Sequence, residues 1–451
     1  MAVVKTCIPR LVIAATHSSA GKTTTTMGLM AALRQQGCTV QGFKVGPDYL
    51  DPAYHAEITG RPSHNLDTWM LGEARVLEIF ARACRGADIA LIEGVMGLYD
   101  GHGRDGRGST AEVAELLAAP VILLVDCHGL GASAAAMVLG YQRYDPRVRL
   151  AGVICNRVSG QKHYRLVKDA IEAATGLPVL GYLPWERELQ VPERHLGLVA
   201  RPEGSPLKPL RDKLAAILAE TVDWTGLLAT AQSAPAVETE ATVVPPLCSP
   251  PVKVALARDA AFHFYYQDAL ELLTSLGAEL VPFSPLADRE LPAGTRGVIL
   301  GGGFPEMFLP ELAANASMRR SLARAAAQGL PVYAECGGLM YLCREVDGYP
   351  MVGVVPARVE MTVRLQGFGY TRARSLADNP ICQAGQEVWG HAFHYSRLNP
   401  ESPEFPWAWE ADGGRREGFV AGNVLASYLH LHWGANPEWA GSFLRRCQAA
   451  S

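Results

Sequence analysis

The most constraining stretch of the sequence is Leu11-Val-Ile-Ala-Ala-Thr-His-Ser-Ser-Ala-Gly-Lys-Thr-Thr-Thr25. Its apolar run reads as a strand buried on both faces, and the small polar residues that follow close a tight loop leading into a helix. A turn of this kind aims successive backbone N–H groups and a helix N-terminus at one anion. The chain is therefore expected to build a sheet whose strand ends carry a phosphate site. Lys22 is placed to neutralise β- and γ-phosphate charge and the Thr23 hydroxyl to ligate Mg2+; Ser18, Gly21 and Thr24 complete the nucleotide-binding candidates. Thr16 stands where the GxxxxGK[ST] pattern has its first glycine, yet Gly21-Lys22-Thr23 keeps the strand–loop–helix setting.

Residues 1–225 continue the alternation of short apolar strands and amphipathic helices, which predicts an α/β unit with a parallel sheet covered on both faces. Strands are expected at Leu11–Ala15, Thr39–Val45, Asp88–Ile92, Val121–Val125, Leu150–Cys155 and Val179–Leu183. Helices are expected at Lys22–Gln36, Glu73–Cys84, Thr110–Ala118 and Lys162–Ala174. In such a sheet the ligand crevice lies beyond the carboxyl ends of the strands, so acids placed there converge on the phosphate loop. Asp48 and Asp51 in Gly46-Pro-Asp-Tyr-Leu-Asp-Pro52, and Glu93 and Asp100 in Glu93-Gly-Val-Met-Gly-Leu-Tyr-Asp100, are those acids. Near a triphosphate they need a bridging metal, which makes Thr23, Asp48 and Glu93 the candidate Mg2+ ligands. Simple turn formation beside glycine and proline is the competing role, weighed most heavily for Asp51 and Asp100. Asn156, at the next strand end, is the candidate reader of the adenine edge. Gly101, Gly103 and Gly106 spell GxGxxG, but they follow their strand only after a long loop and read as a surface loop, not a dinucleotide site.

Residues 231–251, AQSAPAVETEATVVPPLCSPP, lose periodicity and gather prolines, so they are expected to be a connector between a first domain, 1–230, and a second, 252–451. A new α/β series follows, with strands expected at Val252–Ala257, Glu279–Val281, Gly297–Leu300 and Pro331–Glu335 and a helix from His263 to Leu276. Cys336 falls at a sharp strand-to-helix turn in Tyr333-Ala-Glu-Cys-Gly-Gly-Leu-Met340, where a helix N-terminus favours thiolate. Backbone N–H groups near Gly302, Gly303 and Gly337 are candidates for an oxyanion pocket. A base must come from elsewhere, and Ser427-Tyr-Leu-His-Leu-His-Trp433 offers His430 and His432, which share one side of a strand at spacing two. His391 and His394 in Gly390-His-Ala-Phe-His-Tyr395 raise a metal site as a competing reading, but they have no carboxylate or cysteine partner at ligand spacing.

Lys and Arg total 41 against 45 Asp and Glu, a net charge of −4, which argues against nucleic acid or a polybasic membrane contact and for a small-molecule partner. Ten cysteines without a CxxC pair suit a reducing cytoplasm. The opening apolar run is too short for a secretory leader, and no stretch approaches the roughly 18 residues of a membrane span. An isologous homodimer is the base-rate expectation.

Six motifs together resemble the cobyrinate a,c-diamide synthase family over essentially the whole length. They are Ala15-Thr-His-Ser-Ser-Ala-Gly-Lys-Thr23, Lys44-Val-Gly-Pro-Asp-Tyr-Leu-Asp-Pro52, Glu93-Gly-Val-Met-Gly-Leu-Tyr-Asp100, Glu193-Arg-His-Leu-Gly-Leu198, Ala334-Glu-Cys-Gly-Gly338 and Gly390-His-Ala-Phe-His-Tyr-Ser396. The resemblance implies a P-loop-type ATP domain joined to a class I, triad-type glutamine amidotransferase domain. It implies amidation of the a and c carboxylates of a corrinoid acid, with ATP and glutamine as co-substrates and Mg2+ as cofactor. By the same resemblance Cys336 is the nucleophile and His430 its base, while Asp48, Tyr49, Leu50, Asp51, Glu93 and Asp100 serve substrate binding and carboxylate activation. Class I amidotransferases commonly carry His-Pro-Glu at the base, whereas Leu431 and His432 follow His430 here, so the third triad member has no assignment. Hydrogenobyrinate or nickel-sirohydrochlorin as substrate, and cobyric acid synthase, are the competing enzyme readings. A ParA-like ATPase switch with a silent second half is the competing class.

Overall fold

In the computed structural model, residues 2–103, 105–189, 207–241 and 245–450 are described; the Glu193–Leu198 motif lies outside them. The chain forms two compact units, Met1–Thr242 and Val243–Ser451.

The first unit is built on seven parallel strands in the order His64–Leu66, Val40–Val45, Ile89–Glu93, Arg10–Ala15, Val121–Asp126, Leu150–Val158, Val179–Pro184. All six expected strands are present, each within three residues of its expected limits. Leu11, Val12 and Ile13 are wholly buried, each stabilising the unit by about 1.5–3 kcal/mol. The earliest of these seven strands stands at the centre, and its neighbours on either side come from later in the chain. Their carboxyl ends therefore share one crevice, which brings Ala15, Val45, Glu93 and Asn156 to one edge of the sheet.

The expected connector is corrected at its start. Val237–Ala241 is a strand paired antiparallel with Ala2–Thr6, so this stretch belongs to the first unit. Its partner lies at the opposite end of that unit's sequence, out of reach of any local pattern. Leu247 and Cys248 likewise donate to the Leu276 carbonyl and belong to the second unit.

The second unit begins as expected, with parallel strands Val252–Ala257, Ala278–Phe283, Gly297–Leu300 and Val332–Glu335, joined by Val424–Ser427. The sheet then continues through antiparallel strands Arg415–Ala421, Trp407–Ala411, Gly367–Ser375 and Glu387–His394 to His430–Leu431. It curls as it goes, because the Leu431 N–H on its last strand donates to Glu335 on the fourth. The expected helix at His263 starts only at Gln267: the His263 and Phe264 N–H groups donate to the Gly302 carbonyl and hold that segment extended. No helix among the described residues is long and apolar enough to cross a membrane.

Candidate functional site

Two constellations form, one in each unit. In the first, the loop after Ala15 ends at Gly21, whose φ of 98° caps the helix Lys22–Gln35. A side chain there would meet Asn156 Nδ2 at 2.2 Å, so both the backbone angle and the space require glycine. The Asn156 amide donates to the Ala20 carbonyl at 2.7 Å. It thus pins the loop, a structural duty that the adenine-edge reading had not included. Lys22 donates to the Met96 carbonyl and lies close enough to Glu93, Asp51 and Asp100 to feel their charge. Burial, reinforced by the nearby Lys44 cation, lowers its pKa to about 8, so a phosphate beside it would be a welcome counter-charge.

Behind Lys22 the polar side chains interlock. Thr23 Oγ1 donates to Glu93 Oε1 at 2.7 Å and lies 3.3 Å from Asp51. Lys44 Nζ is 2.6 Å from Asp51 and 2.9 Å from Glu93, and His55 Nε2 is 2.7 Å from the other Glu93 oxygen. Burial works against the Lys44 charge, but the two carboxylates outweigh it and hold the ammonium well above its ordinary pKa. Burial likewise opposes ionisation of Glu93, and Lys44 and His55 more than reverse it. Asp51 is pushed upward, first by burial and then by Asp48 and Glu93.

The acids differ in their partners. Asp48, read as a metal ligand, accepts the N–H groups of Leu50 and Asp51 through Oδ1 at the start of the helix Leu50–Thr59. Asp51, given the heavier weighting as a turn former, is the one that reaches Thr23. Asp100 accepts the Gly97 N–H at 2.8 Å, as its turn reading anticipated. The GxGxxG loop folds on itself, with the His102 N–H donating to the Arg107 carbonyl, and builds no dinucleotide turn.

A cavity of about 880 Å³ opens over this edge, walled by Gly21, Lys22, Thr23, Thr24, Leu50, Asp51 and Asn156, and on its far side by Arg157, Pro184 and Trp185. Ser19 lines it in place of Ser18. Arg157, held at φ 55°, donates to the Ser19 carbonyl and pairs with Asp126 at 2.5 Å. Lys44, His55, Arg157 and Trp185 escaped the sequence reading. Lys44 opens the Lys44–Pro52 motif and Arg157 directly follows Asn156, but nothing local marks His55 or Trp185.

In the second unit Cys336 joins Val332–Glu335 to the helix Gly337–Leu342 at φ 46°, a strained angle for a residue with a side chain. Its N–H donates to the Ser427 carbonyl at 2.7 Å. A side chain on Gly338 would strike the Leu300 carbonyl at 2.3 Å, and one on Gly337 would begin 3.3 Å from the Gly303 nitrogen. Gly337 also abuts Pro305, 2.9 Å from where a side chain would begin, so the Gly303 and Gly337 backbones lie close together beside the Cys336 turn. Gly302 packs against His430, since a side chain there would lie 2.7 Å from Cε1.

His430 is buried, within hydrogen-bonding reach of Cys336, with Nδ1 3.3 Å from Glu335 Oε2. Burial pulls its pKa down, but contact with Cys336 and Glu335 outweighs this and raises it to about 10. The ring thus favours its imidazolium form. His391 stacks on His430 with ring centres 5.1 Å apart, and His394 on Tyr428 at 3.8 Å. Burial keeps both neutral, lowering His394 to about 4 and His391 well below its ordinary value. Among the described residues no cluster of His, Cys, Asp or Glu is arranged to hold a metal by itself, and these histidines buttress the base.

The paired strand ends at Leu431, the chain stays extended through His432 at φ −91° and ψ 102°, and His432 takes partners other than those of His430. His432 Nε2 lies 3.1 Å from Asp268, and its ring stacks on Tyr266 at 4.3 Å.

Residues 11–199 match the family description "CobQ/CobB/MinD/ParA nucleotide binding domain", and residues 253–438 match "CobB/CobQ-like glutamine amidotransferase domain". The chain is 46% identical to a cobyrinate a,c-diamide synthase of Dehalococcoides mccartyi, over 97% of this chain and 98% of that one. It is 43% identical to a cobyrinate a,c-diamide synthase of Priestia megaterium, over 98% of this chain and 97% of the relative. It is 44% identical to a hydrogenobyrinate a,c-diamide synthase of Streptomyces coelicolor, over 98% of each.

Proposed function

Because the chain belongs to the cobyrinate a,c-diamide synthase family, we propose that it converts the a and c carboxylates of cobyrinate to amides with ATP and glutamine. The observation that carries this reading is the pairing, in one polypeptide, of a phosphate-loop crevice around Lys22 with a strained nucleophile turn at Cys336.

In the glutaminase half, the Cys336 thiolate attacks the glutamine carboxamide, and the Gly303 and Gly337 backbone receives the developing oxyanion. His430 delivers its proton to the departing ammonia, leaving a thioester that water hydrolyses to glutamate. In the synthetase half, a carboxylate oxygen of the corrinoid attacks the γ-phosphorus of ATP and ADP leaves. Ammonia then displaces phosphate from the acyl phosphate. Lys22 and the loop N–H groups position and neutralise the phosphates. Lys44 holds Asp51 and Glu93 in place.

The oxygen donors of Thr23, Asp51 and Glu93 converge, and the crowding that pushes Asp51 upward is relieved by a hard divalent cation. These residues suit Mg2+ shared with the nucleotide phosphates, where it would neutralise charge building on the β–γ bridge. Trp185 and Arg157 offer the adenine ring a stacking wall. The ten free thiols fit a reducing cytoplasm.

The test is a mass-resolved assay of the purified chain with ATP, Mg2+ and glutamine against cobyrinate, hydrogenobyrinate and nickel-sirohydrochlorin. Two successive carboxylate-to-amide conversions of cobyrinate are expected, with carboxylate oxygen appearing in the released phosphate. Phosphate free of that oxygen overturns the acyl phosphate. Exclusive turnover of hydrogenobyrinate, the substrate named in the Streptomyces relative, shifts the assignment to the metal-free ring.

A further inference from the structure

The pair Cys336–His430 lacks an acid two positions after the base, where class I amidotransferases commonly carry it and His432 stands here. A third group has to satisfy three conditions: it must reach the ring nitrogen that Cys336 does not use, be fixed itself, and be shielded from water. We propose that Glu335, the residue immediately before the nucleophile, is the positioning residue that orients and charges His430, and that His432 plays no part in the triad. The proposal rests on the glutaminase reading of Cys336.

Glu335 Oε2 lies 3.3 Å from His430 Nδ1, which leaves Nε2 for the thiol. Its other oxygen accepts the Leu431 N–H at 2.9 Å and the Tyr333 hydroxyl at 2.5 Å, so the carboxylate is anchored from its own strand and from the strand that carries the base. Glu335 and His430 are 7% and 2% exposed, and in so dry a place a hydrogen-bonded charge is strongly felt. Neighbouring residues on a strand ordinarily point to opposite faces. Here the strand ends at Glu335 and the chain turns at Cys336 through its φ of 46°, so two consecutive residues serve one imidazole.

The groups facing His430 are Cys336 and Glu335 from the strand and turn, Gly302 from the glycine-rich loop, and His391 with His394 beyond it from the adjacent strand. The two histidines are held neutral by burial, whereas Glu335 offers a carboxylate. His432 is committed to Asp268, Tyr266 and the Gly434 N–H.

The test is the pH profile of glutamine hydrolysis by the full chain, measured on wild type, Glu335→Gln, Glu335→Asp and His432→Asn. Glu335→Gln keeps the side-chain shape and removes the charge. It is expected to lower kcat by about 10² to 10⁴-fold while moving KM for glutamine by less than about threefold. The alkaline limb, which reports loss of the His430 proton, is expected to move at least about one unit toward neutral pH. Glu335→Asp should recover part of both, and His432→Asn should leave both unchanged. An unchanged Glu335→Gln profile overturns the proposal, as does a fall in kcat with the limb in place or a limb shift in His432→Asn. Ammonia-supported amidation by Glu335→Gln at the wild-type rate confirms that the variant is folded. Wild type that hydrolyses no glutamine at all defeats the glutaminase reading itself, a separate failure visible before any variant is made.

Discussion

The two strand-to-helix turns at Gly21 and Cys336 solve the same geometric problem with opposite chemistry. Both put a residue at positive φ at a helix N-cap. At 98° the first gives the position to a residue without a side chain, because Asn156 fills the space and backbone N–H groups do the binding. At 46° the second gives it to a cysteine, accepting about 1–3 kcal/mol of strain so that the side chain itself becomes the reagent. One turn presents backbone to a phosphate and the other presents sulfur to a carbonyl. Which one a chain has built is legible from the residue at the cap.

The largest effect that follows is on the sulfur turn. Cys336→Ala should cut glutamine-supported amidation by about 10⁴-fold or more, while ammonia-supported amidation stays within a few-fold of wild type. Steady-state rates with glutamine and with a high ammonium concentration check this. Loss of both would mean that the turns are not separate devices.

The next is its mirror image. Lys22→Ala should lower amidation from either nitrogen source by about 10² to 10³-fold and leave ATP-independent glutamine hydrolysis within about threefold. Parallel fall of the two activities would again erase the contrast.

Much of this contrast is legible in the sequence. The central strands of the first unit are continuous apolar runs, and Gly21-Lys22-Thr23 and Cys336-Gly-Gly338 are local signals that survive because the turn is made by adjacent residues. What escaped was made by distance. His55 reaches Glu93 across 38 positions, Glu335 reaches His430 across 95, and Val237–Ala241 pairs with the chain's opening strand. Asp48 and Asp51 are hard to tell apart in the sequence for a related reason. Either acid suits a turn beside proline, and only the placement of Lys44 and Thr23 decides which one faces inward.

Gly21→Ala probes the backbone turn more gently. An alanine must adopt φ near 98° and push against Asn156, so nucleotide affinity should fall by about 1–3 kcal/mol, roughly five- to 150-fold. Direct nucleotide titration measures it. Adding Asn156→Ala removes the collision but not the angle, so the double variant should recover only part of the loss. Full recovery would show that space alone, and not the left-handed backbone, reserves the position for glycine.

The smallest effect separates support from chemistry beside the sulfur turn. His432 is wholly buried against Asp268 and Tyr266, so His432→Asn shortens its reach to a buried carboxylate and should cost about 1–3 kcal/mol of stability. Because its neighbours differ from those of His430, kcat for glutamine hydrolysis should stay within about twofold. Urea unfolding of the variant, read beside its glutaminase rate, checks both halves. A stable variant with a collapsed rate would move His432 from the scaffold of the turn into its chemistry. An earlier unfolding midpoint with an intact rate would fix the boundary between the two at Leu431, where the strand stops.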